Sequence, residues 1–270
     1  MGGSFSSGLP ICVLQKITSS GSANSIFVSS ELTAVRDSVV IIPTFNEKEN
    51  VERMIRTVMG LEKEFHVLII DDGSPDGTAG IVKSLMQEFE GRLHIEERVG
   101  KQGLGTAYIH GFRWALARHY EYIFEMDCDF SHNPSDLLRL YEACVNGADV
   151  AVGSRYVKGG KVENWPLRRV WMSYYASVYV RFVLGLKVKD TTAGYVCYRR
   201  NVLELIDLDK IRFIGYAFQI EMKYTAAKHG FAIEEVPITF TDRVLGESKM
   251  STKIFKEAFL GVLIMKGKEL

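Results

Sequence analysis

Residues 38–153 alternate between two patterns: short, nearly continuous apolar runs and longer stretches with helical periodicity. The runs are SVVII (38–42), FHVLII (65–70), Leu93–Glu97, 121–126 and 148–153. A strand with little polar alternation is one buried on both faces, and such strands separated by helices belong to βαβ units. The spacing predicts helices over about 46–59, 76–89, 103–118 and 134–145, with Asn46 as the N-cap of the first. The chain therefore reads as an α/β protein with a Rossmann-like, mostly parallel central sheet flanked by helices. Ligands of such sheets bind beyond the carboxyl ends of the strands.

Past Arg155 the pattern loosens. A basic loop (156–169) carries Gly159-Gly160, and an apolar, aromatic helical stretch follows at 170–186. Further strands are expected at 194–198 and 233–240, a helix at 216–228 and an amphipathic helix at 252–265. Residues 1–37 are rich in Ser and Gly and read as a flexible tail; residues 38–270 read as one domain ending in the amphipathic helix. The 33 basic and 33 acidic residues balance, so the footprint of a nucleic-acid binder is missing. No apolar run reaches the 18 residues of a transmembrane helix. The four cysteines form no CxxC pair, which points to free thiols.

The chemistry gathers at the predicted strand ends. The fourth strand runs into Asp127-Cys128-Asp129. Alternate residues of an extended segment share a face, so the two carboxylates repel unless a cation lies between them. Mg²⁺ or Mn²⁺ suits such oxygen ligands and commonly keeps substrate phosphates as its other partners. Asp71-Asp72-Gly73-Ser74 ends the second strand, where a carboxylate can bond a ribose hydroxyl or cap a turn. Arg155 directly follows the fifth strand and has the fork geometry that binds phosphate. Arg243 and Lys249 lie in a second basic segment, TDRVLGESKMS. The segment Gly100–Gly105 fits either a phosphate approach or close helix packing. No GxGxxG follows the first strand and no P-loop occurs, which disfavours a nicotinamide oxidoreductase and a P-loop hydrolase. His132 reads as a capping or solvated residue rather than a metal ligand.

Six segments, VVIIPTFNEKENV, VLIIDDGSPDGT, GLGTAYIHGF, MDCDFSHNP, VGSRYVKGG and VPITFTDRVLGESKM, stand in one order from about residue 38 to 251. Together they resemble the family-two glycosyltransferases of GT-A fold, and within them the dolichyl-phosphate (polyprenyl-phosphate) mannose synthases. The resemblance implies an inverting transfer of mannose from GDP-mannose to dolichyl or polyprenyl phosphate. It implies that Pro43, Phe45, Glu47 and Asp72 line the nucleoside pocket. Asp127 and Asp129 would hold the metal, with Asp129 also near the transferred sugar. Gln219 and Glu221 would lie near that sugar, and Arg155, Arg243 and Lys249 would grip phosphates. Ser131 stands where the family often has Gln. The resemblance further implies attachment to a membrane surface with the active site facing the cytosol, at the endoplasmic reticulum in a eukaryote. Some relatives also need a small membrane-embedded partner subunit. A UDP-glucose donor and a non-catalytic nucleotide-binding subunit are the alternative readings. The stretch 170–186 fits either a membrane-surface helix or an ordinary core helix.

Overall fold

The computed structural model describes residues 37–243 and 261–267. The tail expected over 1–37, apart from Asp37, and also Lys249 and most of the helix expected at 252–265, therefore lie outside the described residues. Residues 261–266 of that helix are helical.

The sequence patterns are realised in chain order. The first half comprises β1 (Ser38–Thr44), α1 (Val51–Met59), β2 (His66–Asp71), α2 (Thr78–Leu85), β3 (Leu93–Glu97), α3 (Leu104–Ala117), β4 (Tyr122–Glu125), α4 (Asp136–Val145) and β5 (Val150–Ser154). Then come β6 (Lys161–Glu163), α5 (Leu167–Leu184), β7 (Val196–Arg199), α6 (Arg200–Leu205), α7 (Tyr216–Lys228), β8 (Ile233–Pro237) and β9 (Thr239–Thr241). The main sheet has seven strands in the order β3-β2-β1-β4-β7-β5-β8. All its pairings are parallel except those of β7, which runs antiparallel to both β4 and β5.

Both faces of the sheet are covered, as the apolar runs require. Val40, Ile42, Val67 and Ile69 pack with α1, α2 and α4 in one buried cluster. Their neighbours Val39, Ile41, Leu68 and Ile70 pack with α3, α6 and α7 in a second. Alternate residues of one strand thus feed two cores, which explains why the strands read as unbroken apolar runs.

Some boundaries differ from expectation for visible reasons. β1 continues through Pro43, because β4 has already ended opposite Ile41 and the missing N–H costs no bond on that side. Asn46 has φ 57°, a left-handed conformation, so α1 starts only after Asn50. The strand expected over 233–240 divides at Ile238. Its first part joins the main sheet, and its second pairs with β6 in a separate two-stranded ribbon. β6 is the polar sequence KVE and gives no strand signal. No helix among the described residues is long and apolar enough to cross a membrane.

Candidate active site

The parallel strands deliver Thr44, Asp71 and Glu125 to one edge of the sheet. The two acidic strand ends behave differently there. Asp71 is consumed locally: it accepts from Thr44 Oγ1 (2.8 Å), Ser74 N (2.8 Å) and Ser74 Oγ (2.6 Å). Asp72 is held by Arg98, with Nε at 2.7 Å and Nη2 at 2.5 Å from Oδ1. Gln102 N lies 3.3 Å from Asp72 Oδ2, so the segment Gly100–Gly105 folds back on the carboxylate. Gly105 itself serves packing, since a Cβ there would meet Phe213 O and the Phe218 ring at 2.8 Å. Pro43, Phe45 and Glu47 share this edge and are partly buried. Lys101 lies 5.3 Å over the Phe45 ring, and Glu47 accepts from Asn50 Nδ2 at 3.0 Å.

Beside this edge opens a cavity of about 490 Å³. Asp127, Asp129, Ser131 and His132 from the segment after β4 line it, with Arg155, Arg169, Arg243 and Gln219. Asp129 is buried, and its two oxygens have different partners. Oδ1 accepts from Ser131 N at 3.0 Å, and Oδ2 pairs with Arg243 Nη2 at 2.9 Å. Among the described residues Ser131 Oγ is buried without a hydrogen-bond partner. Two carboxylates and an unsatisfied hydroxyl make an oxygen donor set that fits a hard divalent ion, and the charge of Asp129 already draws Arg243 to it. Among the described residues no group of three His, Cys, Asp or Glu side chains meets, so the remaining ligands would come from substrate or water.

Arg155 is placed differently from Arg243. Its Nε and Nη2 form a fork on Asp190 at 2.7 Å each, its backbone N bonds the same carboxylate, and Nη2 also reaches Thr192 Oγ1. Asp190 is fully buried. Burial alone would raise it, but the Arg155 charge and hydrogen bonds hold it below the usual carboxylate range. The guanidinium also lies 5.1–5.7 Å from the rings of Tyr156, Phe240 and Trp165. Arg169 stacks on Trp165 at 3.9 Å and pairs with Asp242 at 3.2 Å. His132 is buried against Tyr195, and burial pushes its imidazole down to about 4. It is therefore a neutral packing ring at physiological pH.

The opposite wall comes from α5, through Met172, Tyr175, Ala176, Tyr179 and Val180. Of its 18 residues only Ser177 and Val180 are buried, which removes the core-helix reading of this stretch. A second apolar face of the same helix, Leu167, Trp171, Tyr174, Val178 and Phe182, is exposed, with Phe182 at 88%.

The structure thus gathers Asp127, Asp129, Arg155, Arg243 and Gln219 around one cavity and leaves Asp72, Pro43, Phe45 and Glu47 along the adjoining edge. It does not bring Glu221 to the cavity: that carboxylate accepts from Arg212 N (2.9 Å) and Phe213 N (3.0 Å) and shapes the loop before α7. Arg98 and Asp190 were missed by the sequence reading, and Arg169 was given no role there. Only Arg169 carried a signal, as part of the basic loop.

A mostly parallel sheet whose strand ends meet a DxD segment, with arginines opposite, defines a glycosyltransferase of the GT-A class. The chain belongs to glycosyltransferase family 2: a profile of that description, "Glycosyl transferase family 2", matches residues 39–206. It is 49% identical over 225 residues to the polyprenol monophosphomannose synthase of Mycolicibacterium smegmatis, covering 83% of this chain and 85% of that protein. It is 47% identical over 224 residues to the undecaprenyl-phosphate mannosyltransferase of Micrococcus luteus, covering 83% and 91%. The dolichol-phosphate mannosyltransferase of Pyrococcus furiosus is 38% identical over 225 residues, which cover 81% of this chain and 60% of that protein. Among solved structures, glucosyl-3-phosphoglycerate synthase of Mycobacterium tuberculosis, bound to Mn²⁺, UDP and glucosyl-3-phosphoglycerate, superposes with a TM-score of 0.63. It shares 17% identity over 88% of this chain and 82% of that one, a likeness of fold.

Proposed function

We propose that this enzyme transfers mannose from GDP-mannose to dolichyl or polyprenyl phosphate with inversion, giving a β-mannosyl phospholipid. One observation carries the reading: a single cavity joins paired carboxylates, arginines and an apolar wall. The first suits a nucleotide diphosphate through a divalent metal, the second phosphates directly, and the third a lipid. The names of the relatives support both the sugar and the acceptor.

Asp127, Asp129 and Ser131 would hold Mg²⁺ or Mn²⁺, which when bound neutralises the donor diphosphate and stabilises the departing GDP. Pro43, Phe45, Glu47 and Asp72 line the nucleoside side, with Asp72 fixed in place by Arg98. Arg243 and Arg169 hold the acceptor phosphate, and Lys249 is assigned to the same grip. Arg155 is committed to Asp190, so it supplies a fixed polar part of the wall rather than a mobile clamp. A phosphate monoester loses its second proton near pH ~6, so the acceptor oxygen arrives anionic and no strong general base is needed. The residues therefore act mainly by alignment and charge neutralisation. Direct attack by that oxygen on the anomeric carbon of an α-linked donor gives the β product. His132, neutral and packed on Tyr195, has no proton-transfer role here.

The exposed apolar face of α5 supports attachment to a membrane surface beside the acceptor, and the family resemblance assigns the active site to the cytosolic side. Trp and Tyr suit the headgroup region, and Arg168 and Arg181 flank the stripe. A small membrane-embedded partner subunit is compatible with the same face.

The test offers radiolabelled GDP-mannose and UDP-glucose to the purified chain with polyprenyl phosphate, with Mg²⁺ or Mn²⁺ and then EDTA. Metal-dependent label in the lipid fraction from GDP-mannose alone is the expected result. Label from UDP-glucose replaces the donor. Tight nucleotide binding without transfer from either favours a non-catalytic subunit.

A further inference from the structure

A chain of buried polar groups lies under the cavity floor, away from the substrate-facing carboxylates. Lys223 on α7 is 0% exposed, and its ammonium meets three acceptors: Ala193 O at 2.6 Å, Gln219 O at 3.1 Å and Gln219 Oε1 at 3.2 Å. The other end of the same amide, Gln219 Nε2, donates to Glu125 Oε2 at 2.7 Å. Glu125 is also 0% exposed and closes β4, two residues before Asp127. An ammonium can only donate, so it takes the amide oxygen; the acid oxygen takes the amide N–H. The Gln219 amide is therefore held in one orientation from both ends.

The cost of this arrangement is large. Burying a lysine and an acid takes both out of water, and burial pushes Glu125 up and Lys223 down while each pulls the other back. An apolar pair would satisfy the core as well. What the polar bridge adds is geometry. It ties α7 to the strand end that leads into Asp127, and it ties the Ala193 carbonyl to both. Ala193, Gly194 and Gln219 line the cavity, as Asp127 does. Thr192, beside them, holds Arg155. One lysine thus joins the floor of the cavity, the DxD strand and the segment carrying the Arg155 support.

We infer that the Glu125–Gln219–Lys223 bridge is a positioning device for sugar transfer, with Lys223 as its anchor: it holds the cavity floor in register with Asp127 and so sets the attack geometry. This rests on the glycosyl-transfer reading above. Lys223 touches no substrate, and its effect runs through Gln219 and residues 192–194.

The test compares Lys223→Met with the double variant Glu125→Gln/Lys223→Met. Four readouts are taken: melting temperature, GDP affinity with Mg²⁺, kcat with KM for donor and acceptor, and a crystal structure. The single variant is expected to melt lower, because it leaves a buried acid without its cation. The double variant is expected to recover most of that loss while kcat stays ~10–100-fold down, the scale of a misplaced reacting group, with GDP affinity within ~2-fold of wild type. Recovery of kcat together with melting temperature would overturn the proposal, since the bridge would then serve stability alone. So would unchanged kcat in a folded Lys223→Met enzyme. If the wild-type chain transfers no sugar, the functional reading fails separately. The bridge is then judged by the crystal structure, where an unmoved Gln219 amide and an unmoved 192–194 segment would overturn it.

Discussion

The two sides of the cavity are built by opposite strategies. On the sheet edge, polar side chains hold one another: Asp71 is bonded by Thr44 and Ser74, Asp72 by Arg98, and Asp129 by Ser131 and Arg243. Across from them, α5 offers mostly apolar and aromatic side chains and buries only two of its own. The edge is complete without further solvent exclusion. The helix is not: water covers a stripe of rings that would gain by leaving it. A protein that binds a charged head and a hydrocarbon tail needs both kinds of wall, and in the proposed reading head passes into tail where they meet, at Arg169 and Arg243.

The sharpest way to break the comparison is to remove charge from the rigid side. Asp129→Ala is expected to lower kcat by ~10³-fold or more, since it deletes both the carboxylate facing the donor diphosphate and the partner of Arg243. Transfer assayed with the purified variant checks this, and full activity would falsify the placement of the reacting centre. Asp190→Asn comes next. Removing one member of a buried ion pair costs roughly 3–5 kcal/mol, and the fork of Arg155 would keep at most one bond, to the remaining amide oxygen. The pH dependence has a definite sign. Asp190 has a depressed pKa in the fold, so its contribution is present above the unfolded value near ~3.9. It is lost as pH falls through the lower folded value. Wild type should lose stability on that acid limb, and Asp190→Asn should show a flatter limb in denaturant midpoints measured from pH 6 to 2. Arg243→Ala is a smaller change. A hydrogen bond to a charged group contributes roughly 1.5–3 kcal/mol, or ~10–100-fold. We expect that loss in acceptor KM, with donor affinity within a few-fold. Steady-state kinetics that place it on the donor instead would move Arg243 to the other side of the cavity.

The sequence revealed the rigid side more fully than the apolar one, for physical reasons. A buried strand that ends in acids is a contrast visible within a few residues, so β2, β4 and the Asp127–Asp129 pair were legible. The partners of those acids were not. Arg98 reaches Asp72 across 26 residues, and Asp190 meets Arg155 across 35, through loops with no periodic signal. The resemblance grouped Glu221 with Gln219 near the sugar, two residues apart. On a helix that separation turns a side chain ~200° away, and Glu221 bonds the loop before α7 while Gln219 faces the cavity. The antiparallel insertion of β7 has no local signature either, since its VCYR sequence fits a buried strand of either direction. The ribbon of β6 and β9 depends on a polar three-residue strand that only pairing defines. The aromatic helix was seen as such, but two readings stayed open. Composition reports how apolar a helix is, and only the tertiary structure reports how much of it is covered.

That uncovered stripe gives the smallest and most discriminating test. Trp171 and Phe182 lie on the outer face of α5, 56% and 88% exposed, and neither lines the cavity. Changing both to Gln removes apolar area while leaving the helix and every charged contact in place, and costs the cavity wall only the stacking of Trp171 on Tyr175. Fully burying such a side chain contributes roughly 1.5–3 kcal/mol, and a ring set into an interface gains part of that. The double variant should therefore bind vesicles of mixed neutral and anionic lipid ~10-fold less tightly in a flotation assay. Its rate on long-chain polyprenyl phosphate in those vesicles should fall by a similar factor. Its rate on a short, water-soluble polyprenyl phosphate should stay within ~2-fold of wild type, because that acceptor meets only the cavity. A comparable fall on both acceptors would mean that α5 shapes the active site and nothing more. Undiminished vesicle binding would hand the stripe to a protein partner rather than to lipid.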